Sequence, residues 1–258
     1  MKLYYRQLGE MGTPVIILHG LFGSSDNWLT ISKTIVDHGH VVYLLDQRNH
    51  GRSPHSEVHD YDSLADDLME FITDYNLKQP VVIGHSMGGK AVMQFAMNYP
   101  GQFSRLVVID IAPKFYPVHH AEILRGFAAI NLATLKSRNE ADAILTQYEP
   151  NLGVRQFLLK NLYRDETGQF AWRLNLPTIE REIHGIGEDL RHIQTVTAPT
   201  LFIRGSESGY VSDDDLPIIR RIFPNVVFET IAGAGHWVQA EKPAEFVDVL
   251  FEFLEKPF

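Results

Sequence analysis

The residues Gly84-His85-Ser86-Met87-Gly88 carry the most specific chemistry in this 258-residue chain. The β-formers Pro80-Val81-Val82-Ile83 precede them, and Gly89-Lys90-Ala91-Val92-Met93-Gln94-Phe95-Ala96 follows with a helical pattern. Between a strand and a helix, G-x-S-x-G describes a sharp turn that presents a serine as a nucleophile. Such a turn strains the serine backbone, and glycines on either side remove the Cβ atoms that would clash. Ser86 Oγ then stands clear of the strand, near a helix N-terminus whose free N–H groups can face a developing oxyanion.

A serine hydroxyl needs a base, and an imidazole serves best when a carboxylate fixes its tautomer. His236, in the glycine-rich loop Ala232-Gly233-Ala234-Gly235-His236-Trp237, is the natural base among 12 histidines. The others read differently. His85, inside the elbow, packs beside the nucleophile. His19 buttresses the loop His19-Gly20-Leu21-Phe22-Gly23-Ser24-Ser25 by a hydrogen bond. His55/His59 and His119/His120 have spacings that mimic metal pairs, but no carboxylate or cysteine completes a set, so they read as solvated or pocket-lining.

The elements that must position these groups alternate. Strands are predicted at residues 2–9, 14–18, 41–45, 80–83, 106–109, 199–203 and 226–231. Helices are predicted from a cap at Asp26 or Asn27 to Val36, from Tyr61 to Tyr75, after the elbow, from Asp213 to Ile222, and from Pro243 to Leu254. Continuous apolar runs such as Val15-Ile16-Ile17-Leu18 fit strands buried on both faces of a mostly parallel sheet covered by helices. In such sheets functional residues gather at the carboxyl ends of strands. The alternation lapses after Pro113. Residues 114–197 read as helices with loops and no clear strand, a helical cap set between core segments 1–113 and 198–258.

Composition narrows the classes. The chain has no cysteine, which removes disulfides, thiolate nucleophiles and zinc–thiolate sites. A net charge of −9 argues against a nucleic-acid partner. Residues 112–197 balance ten basic against ten acidic side chains, so the acidic excess lies wholly outside them. No leader-like segment and no membrane-spanning run are visible, which makes a cytoplasmic location the expectation.

Four motifs together resemble the α/β-hydrolase superfamily over essentially the full chain. In that superfamily's strand count, HG-x-x-G follows the third strand, D-x-R-x-x-G-x-S the fourth and G-x-S-x-G-G the fifth, while G-H-W precedes the last helix. Within it, Gly84 to Lys90, Asp46-Gln47-Arg48-Asn49-His50-Gly51 and Asp110-Ile111-Ala112-Pro113 resemble the small, broad-specificity bacterial esterases, which act on acyl esters and in some cases acyl-CoA thioesters. The sharper mark is Asn49, where most of the superfamily has glycine. The resemblance implies an α/β-hydrolase fold with the helical cap inserted after the sixth strand. It also implies an oxyanion hole from the N–H groups of Leu21 and Met87, a small-molecule ester or thioester substrate, and no metal or organic cofactor. The same scaffold also supports C–C bond hydrolysis, lyase chemistry and perhydrolysis on a serine triad.

One departure matters. The superfamily's usual acid lies after its seventh strand, but here Gly205-Ser206-Glu207-Ser208-Gly209 places Ser208 at that position. The candidate acids are Asp110, Glu207 and Asp213 to Asp215. Asp110 is preferred because it stands alone after an apolar strand, and relatives are known to use an acid there. Asp213 to Asp215 read as a helix N-terminal cluster. Asp46 and Arg48 are expected to hold their loop by a charge-assisted hydrogen bond. Lys90 reads as solvated, or as standing behind the residues that touch substrate. The aromatics Phe115, Tyr116, Phe127, Phe157, Tyr163, Phe170 and Trp172 read mostly as cap core, with one or two lining an acyl pocket.

Overall fold

A computed structural model describes residues 1–118, 120–190 and 194–257. Its strands are β1 (Tyr5–Leu8), β2 (Thr13–Leu18), β3 (His40–Leu45), β4 (Val81–His85), β5 (Arg105–Ile109), β6 (Leu162–Arg164), β7 (Phe170–Trp172), β8 (Thr200–Gly205) and β9 (Val226–Ile231). Its α-helices are α1 (Leu29–Asp37), α2 (Tyr61–Asp74), α3 (Met87–Asn98), α4 (Ala121–Ala129), α5 (Arg138–Leu145), α6 (Leu152–Leu159), α7 (Leu176–Gly187), α8 (Leu216–Ile222), α9 (Val238–Glu241) and α10 (Pro243–Glu255). Among the described residues, no helix is long and apolar enough to cross a membrane.

Seven strands form one sheet in the order β1-β3-β2-β4-β5-β8-β9, parallel except for β1. Side chains of a strand alternate between faces, so an apolar run feeds two cores. Val15, Ile17, Ile83 and Ile109 pack with Trp28, Ile35, Phe246 and Leu250 from the α1 and α10 side. Ile16, Leu18, Val82 and Val108 pack with Leu68, Phe71, Val92 and Phe95 from α2 and α3. This is the mostly parallel, doubly covered sheet that the sequence pattern predicts.

The details correct several expectations. Five strands, not six, precede the segment between β5 and β8, because the chain runs one strand behind the superfamily's count. That segment is not purely helical: β6 and β7 pair as an antiparallel hairpin. Three-residue strands are too short to show a period of two, so the pattern could not reveal them. Neither Asp26 nor Asn27 caps α1 in the expected way. A 3-10 turn, Ser25–Trp28, leads into the helix, and Asn27 Oδ1 accepts from the Ser24 N–H at 2.7 Å. Asp26 instead pairs with Arg6.

The segment between β5 and β8 packs through Leu124, Phe127, Leu158, Ile179 and Ile183 onto Leu21, Phe22 and Met87, at the carboxyl edge of the sheet. Helix α7 is fastened at both ends. At its N-terminus Asn175 Nδ2 donates to Asn49 Oδ1 at 3.0 Å and to the Ser56 carbonyl at 3.1 Å. At its C-terminus the Tyr61 hydroxyl donates to the Ile186 carbonyl at 2.7 Å, and the Tyr116 N–H to that of Gly187 at 2.7 Å. Asn49 adopts φ +65°, a left-handed conformation that asparagine tolerates better than most residues. An asparagine at this glycine position thus keeps the turn and adds a side chain that holds α7.

Candidate active site

Parallel register decides which residues meet. His85 stands beside Ile109 and Ile109 beside Ile203, so the chain leaves β4 and β5 at one level, while β8 runs two residues further to Gly205. Ser86 follows β4 and Asp110 follows β5, and the loop after β9 brings His236 across the edge.

Ser86 has φ +53° and ψ −119°, the strained geometry of a nucleophile turn, at a cost on the order of 1–3 kcal/mol. Close packing holds it. A Cβ on Gly84 would lie 2.2 Å from the Gly88 carbonyl oxygen, and one on Gly88 would lie 2.5 Å from that of Leu18. Both glycines of the motif are therefore demanded by backbone approaching backbone.

Asp110 is fully buried, also at positive φ, with three donors around its carboxylate. His236 Nδ1 lies 2.7 Å from Oδ2, the Ser208 hydroxyl donates to the same oxygen, and the Gly205 N–H donates to Oδ1 at 3.2 Å. A buried carboxylate is costly unless so satisfied. Glu207, by contrast, is exposed, and its backbone N–H donates to the Ala234 carbonyl. Asp213 pairs with Arg204 and Asp215 with Lys114, as a helix-start cluster should. Of the candidate acids, the geometry brings Asp110 to His236.

The imidazole of His236 is positioned from several sides. It stacks on Tyr210, with ring centres 3.9 Å apart and planes 18° from parallel. His85 Nε2 donates to the His236 carbonyl at 2.8 Å, and burial pushes the His85 pKa down to about 3, so the ring stays neutral. The N–H groups of Gly235 and Trp237, on either side, donate to the Glu241 carboxylate at 2.7 and 3.1 Å. Sequence reasoning missed Ser208, Tyr210 and Glu241 as partners. Only Ser208 had a visible signal, its place where the superfamily keeps an acid.

Near Ser86, the loop after β2 closes on itself: the Gly23 N–H donates to the Gly20 carbonyl at 2.9 Å and the Phe22 N–H to His50 Nε2 at 3.3 Å. Among the described residues, the backbone hydrogen bonds around this loop use its neighbours and leave the Leu21 N–H without a protein acceptor. Met87 opens α3, where a helix N–H has no intrahelical partner. Beneath, His19 Nε2 accepts from the Gln47 N–H at 3.1 Å while Nδ1 donates to the Gly20 carbonyl at 2.8 Å.

Other residues stand apart from expectation. Asp46 and Arg48 do not bind each other. The Asp46 carboxylate accepts from the Ser25 and Arg52 N–H groups at 2.6 and 2.8 Å, whereas Arg48 forms a two-pronged pair with Asp67 at 2.7 and 2.9 Å. Residues two apart around a turn point in different directions, so each finds a partner elsewhere. Lys90 is not solvated: it is 1% exposed, and its ammonium donates to the carbonyls of Gly187 and Glu188 at 3.3 and 2.5 Å. It also faces the rings of Tyr61 and Tyr116, and burial pulls its pKa down to about 8. His59 is buried against Asn49, His55 is exposed, His120 lines the site, and His119 lies outside the described residues. Among the aromatics, Phe127 and Phe170 are buried in the insert, Tyr116 and Phe157 reach cavities at Ser86, and Phe115 is 61% exposed.

Comparison with known proteins adds to this geometry. The family described as alpha/beta hydrolase fold matches residues 13–243. An sn-1-specific diacylglycerol lipase ABHD11 from Danio rerio is 39% identical over 251 residues, covering 94% of this chain and 78% of its own. Esterase YbfF from Escherichia coli (strain K12) is 37% identical over 260 residues, 98% of this chain and 99% of its own. A solved marine microorganism esterase superposes with a TM-score of 0.95 at 43% identity, covering 98% of this chain and 99% of that one.

Proposed function

The chain belongs to the α/β-hydrolase fold family, and from that premise we propose that it is an esterase working through a covalent acyl ester on Ser86. The observation that carries this reading is the 2.7 Å contact between His236 Nδ1 and Asp110 Oδ2 at the mouth where Ser86 stands. With Nδ1–H held by the carboxylate, Nε2 is the nitrogen free to take the Ser86 proton. Ser86 Oγ attacks the acyl carbonyl, and the Leu21 and Met87 N–H groups stabilise the tetrahedral oxyanion. His236 returns the proton to the departing alcohol. Water, activated by the same imidazole, then cleaves the acyl-enzyme. Acyl-CoA thioesters fall within the same chemistry. The relatives named as an esterase and as a diacylglycerol lipase, both terms for ester cleavage, support it.

Residues 114–197 act in this reading as a cap over a core of 1–113 and 198–258, a reading supported by the packing of Leu124, Phe127, Leu158, Ile179 and Ile183 onto Leu21 and Met87. The test is a fluorophosphonate probe followed by mass spectrometry of the labelled peptide. Labelling at Ser86 and its loss in Ser86→Ala, with the melting temperature kept, is the expected result; full labelling of Ser86→Ala overturns the proposal.

A further inference from the structure

Two cavities meet at Ser86, and they do not share the same catalytic groups. The smaller, about 40 Å³, is bordered by Tyr61, Met87, Lys90, Ile183 and Ile186. The larger, about 720 Å³, is bordered by His236, Trp237, Phe157, Val154 and Ile123. Leu21 and Ser86 border both; Met87 touches only the small one and His236 only the large one.

This asymmetry orients the substrate. When the tetrahedral intermediate collapses, the carbon–oxygen bond to the alcohol breaks. Its electron pair stays on the alcohol oxygen, which takes the proton that His236 received from Ser86. The alcohol oxygen must therefore lie on the His236 side, and the rest of the alcohol extends into the large cleft. The acyl substituent, on the other side of the same carbon, is left with the small cavity beside Met87. We propose that the small cavity is the acyl site and the large cleft the alcohol site, so that the enzyme selects short acyl groups carried on bulky alcohols. This rests on the Ser86 acyl-enzyme reading and gives it a substrate class.

Size sets the limit on the acyl group. The small cavity has only a small fraction of the cleft's volume, so it takes the smaller of the two substituents, a short acyl group. It does not lengthen easily. Lys90 lines it, with an ammonium bound to two helix-end carbonyls and faced by two tyrosine rings; a longer alkyl chain that pushed it aside would have to strip those bonds away. The cleft, by contrast, offers aromatic walls, Phe157 and Trp237 lying 5.8 Å apart between ring centres, suited to an apolar alcohol.

The experiment varies the two halves of the ester separately. At fixed alcohol, p-nitrophenyl acetate, butyrate and octanoate are compared; at fixed acyl group, ethyl and 2-phenylethyl acetate. The expected kcat/KM falls at least about 100-fold from butyrate to octanoate, and rises at least about tenfold from ethyl to 2-phenylethyl acetate. Ile186→Ala, in the half-buried wall of the small cavity, should shrink the first ratio about tenfold and leave the second. Phe157→Ala should do the reverse. Faster turnover of octanoates than butyrates, or an acyl ratio that follows Phe157 and ignores Ile186, overturns the assignment while a fluorophosphonate-labelled Ser86 leaves the esterase reading standing. An unlabelled Ser86 overturns both.

Discussion

Two buried aspartates end strands of the same sheet, and their surroundings diverge. Asp46, after β3, receives the backbone N–H groups of Ser25 and Arg52. Asp110, after β5, receives one backbone N–H, a serine hydroxyl and an imidazole. Both carboxylates satisfy the requirement that a buried charge be hydrogen-bonded. The donors differ in what they can do next. An amide N–H only donates, so Asp46 locks a loop. An imidazole N–H belongs to a ring whose other nitrogen can carry a proton, so the bond from His236 to Asp110 fixes which nitrogen that is. Burial sets the state of the histidines as well: His19, His50 and His59, around the Asp46 loop, and His85, beside His236, are buried, which lowers their pKa values to about 4, 3, 3 and 3. They stay neutral and structural.

Four measurements would break or sharpen this contrast. Asp110→Asn keeps the shape but favours the wrong imidazole tautomer, and should lower kcat by about 10⁴ with little change in KM. Second, acid should act on the buried neutral histidines. Below pH 6.5 the unfolded chain protonates imidazoles that the folded protein keeps neutral, so stability, complete above that pH, is lost as pH falls toward about 3. Urea titrations at pH 7 and pH 5 should show it, and His59→Gln should flatten the slope. Third, Asp46→Asn should cost about 1–3 kcal/mol of stability by urea unfolding, with kcat per folded molecule within about twofold. A kcat loss rivalling that of Asp110→Asn would erase the distinction. The smallest effect separates neighbours in one loop. Ser208→Ala removes a donor to Asp110 and should lower kcat about tenfold, or about 1.4 kcal/mol. Glu207→Gln, on an exposed side chain, should cost less than that; if it proves the more damaging of the two, Glu207 is the acid.

The sheet and the elbow were legible because they rest on local demands. Short, β-branched apolar runs bounded by turn residues fit two-faced strands, and Gly84 and Gly88 answer a steric requirement written within five residues. Asp110 was legible as a lone acid after such a run. Ser208 stands in the sequence only as the residue that displaces an acid; its bond to a carboxylate 98 residues earlier is invisible there. Lys90 misled in the same way: its burial depends on α7 carbonyls about 97 residues further on, which no local pattern announces. What escaped the sequence is side-chain partnership across long separations, where the chemistry of one residue is completed by another that only the fold supplies.

The double fastening of α7 has a consequence for traffic. This helix walls the small cavity with Ile183 and Ile186, and bonds at both its ends tie it to the sheet side of the molecule. In the acyl-enzyme reading proposed above, a wall so held would stay in place through turnover, and molecules would enter and leave past His236. The alcohol would depart first, through the mouth it fills. Water would then arrive by the same mouth, and the acid, formed in the inner recess, would leave last. Any alcohol supplied in excess would meet the acyl-enzyme in the place the first one vacated and compete there with water. Added 2-phenylethanol should therefore divert butyryl groups from butyrate to a new ester, while p-nitrophenol release continues to report the same first step.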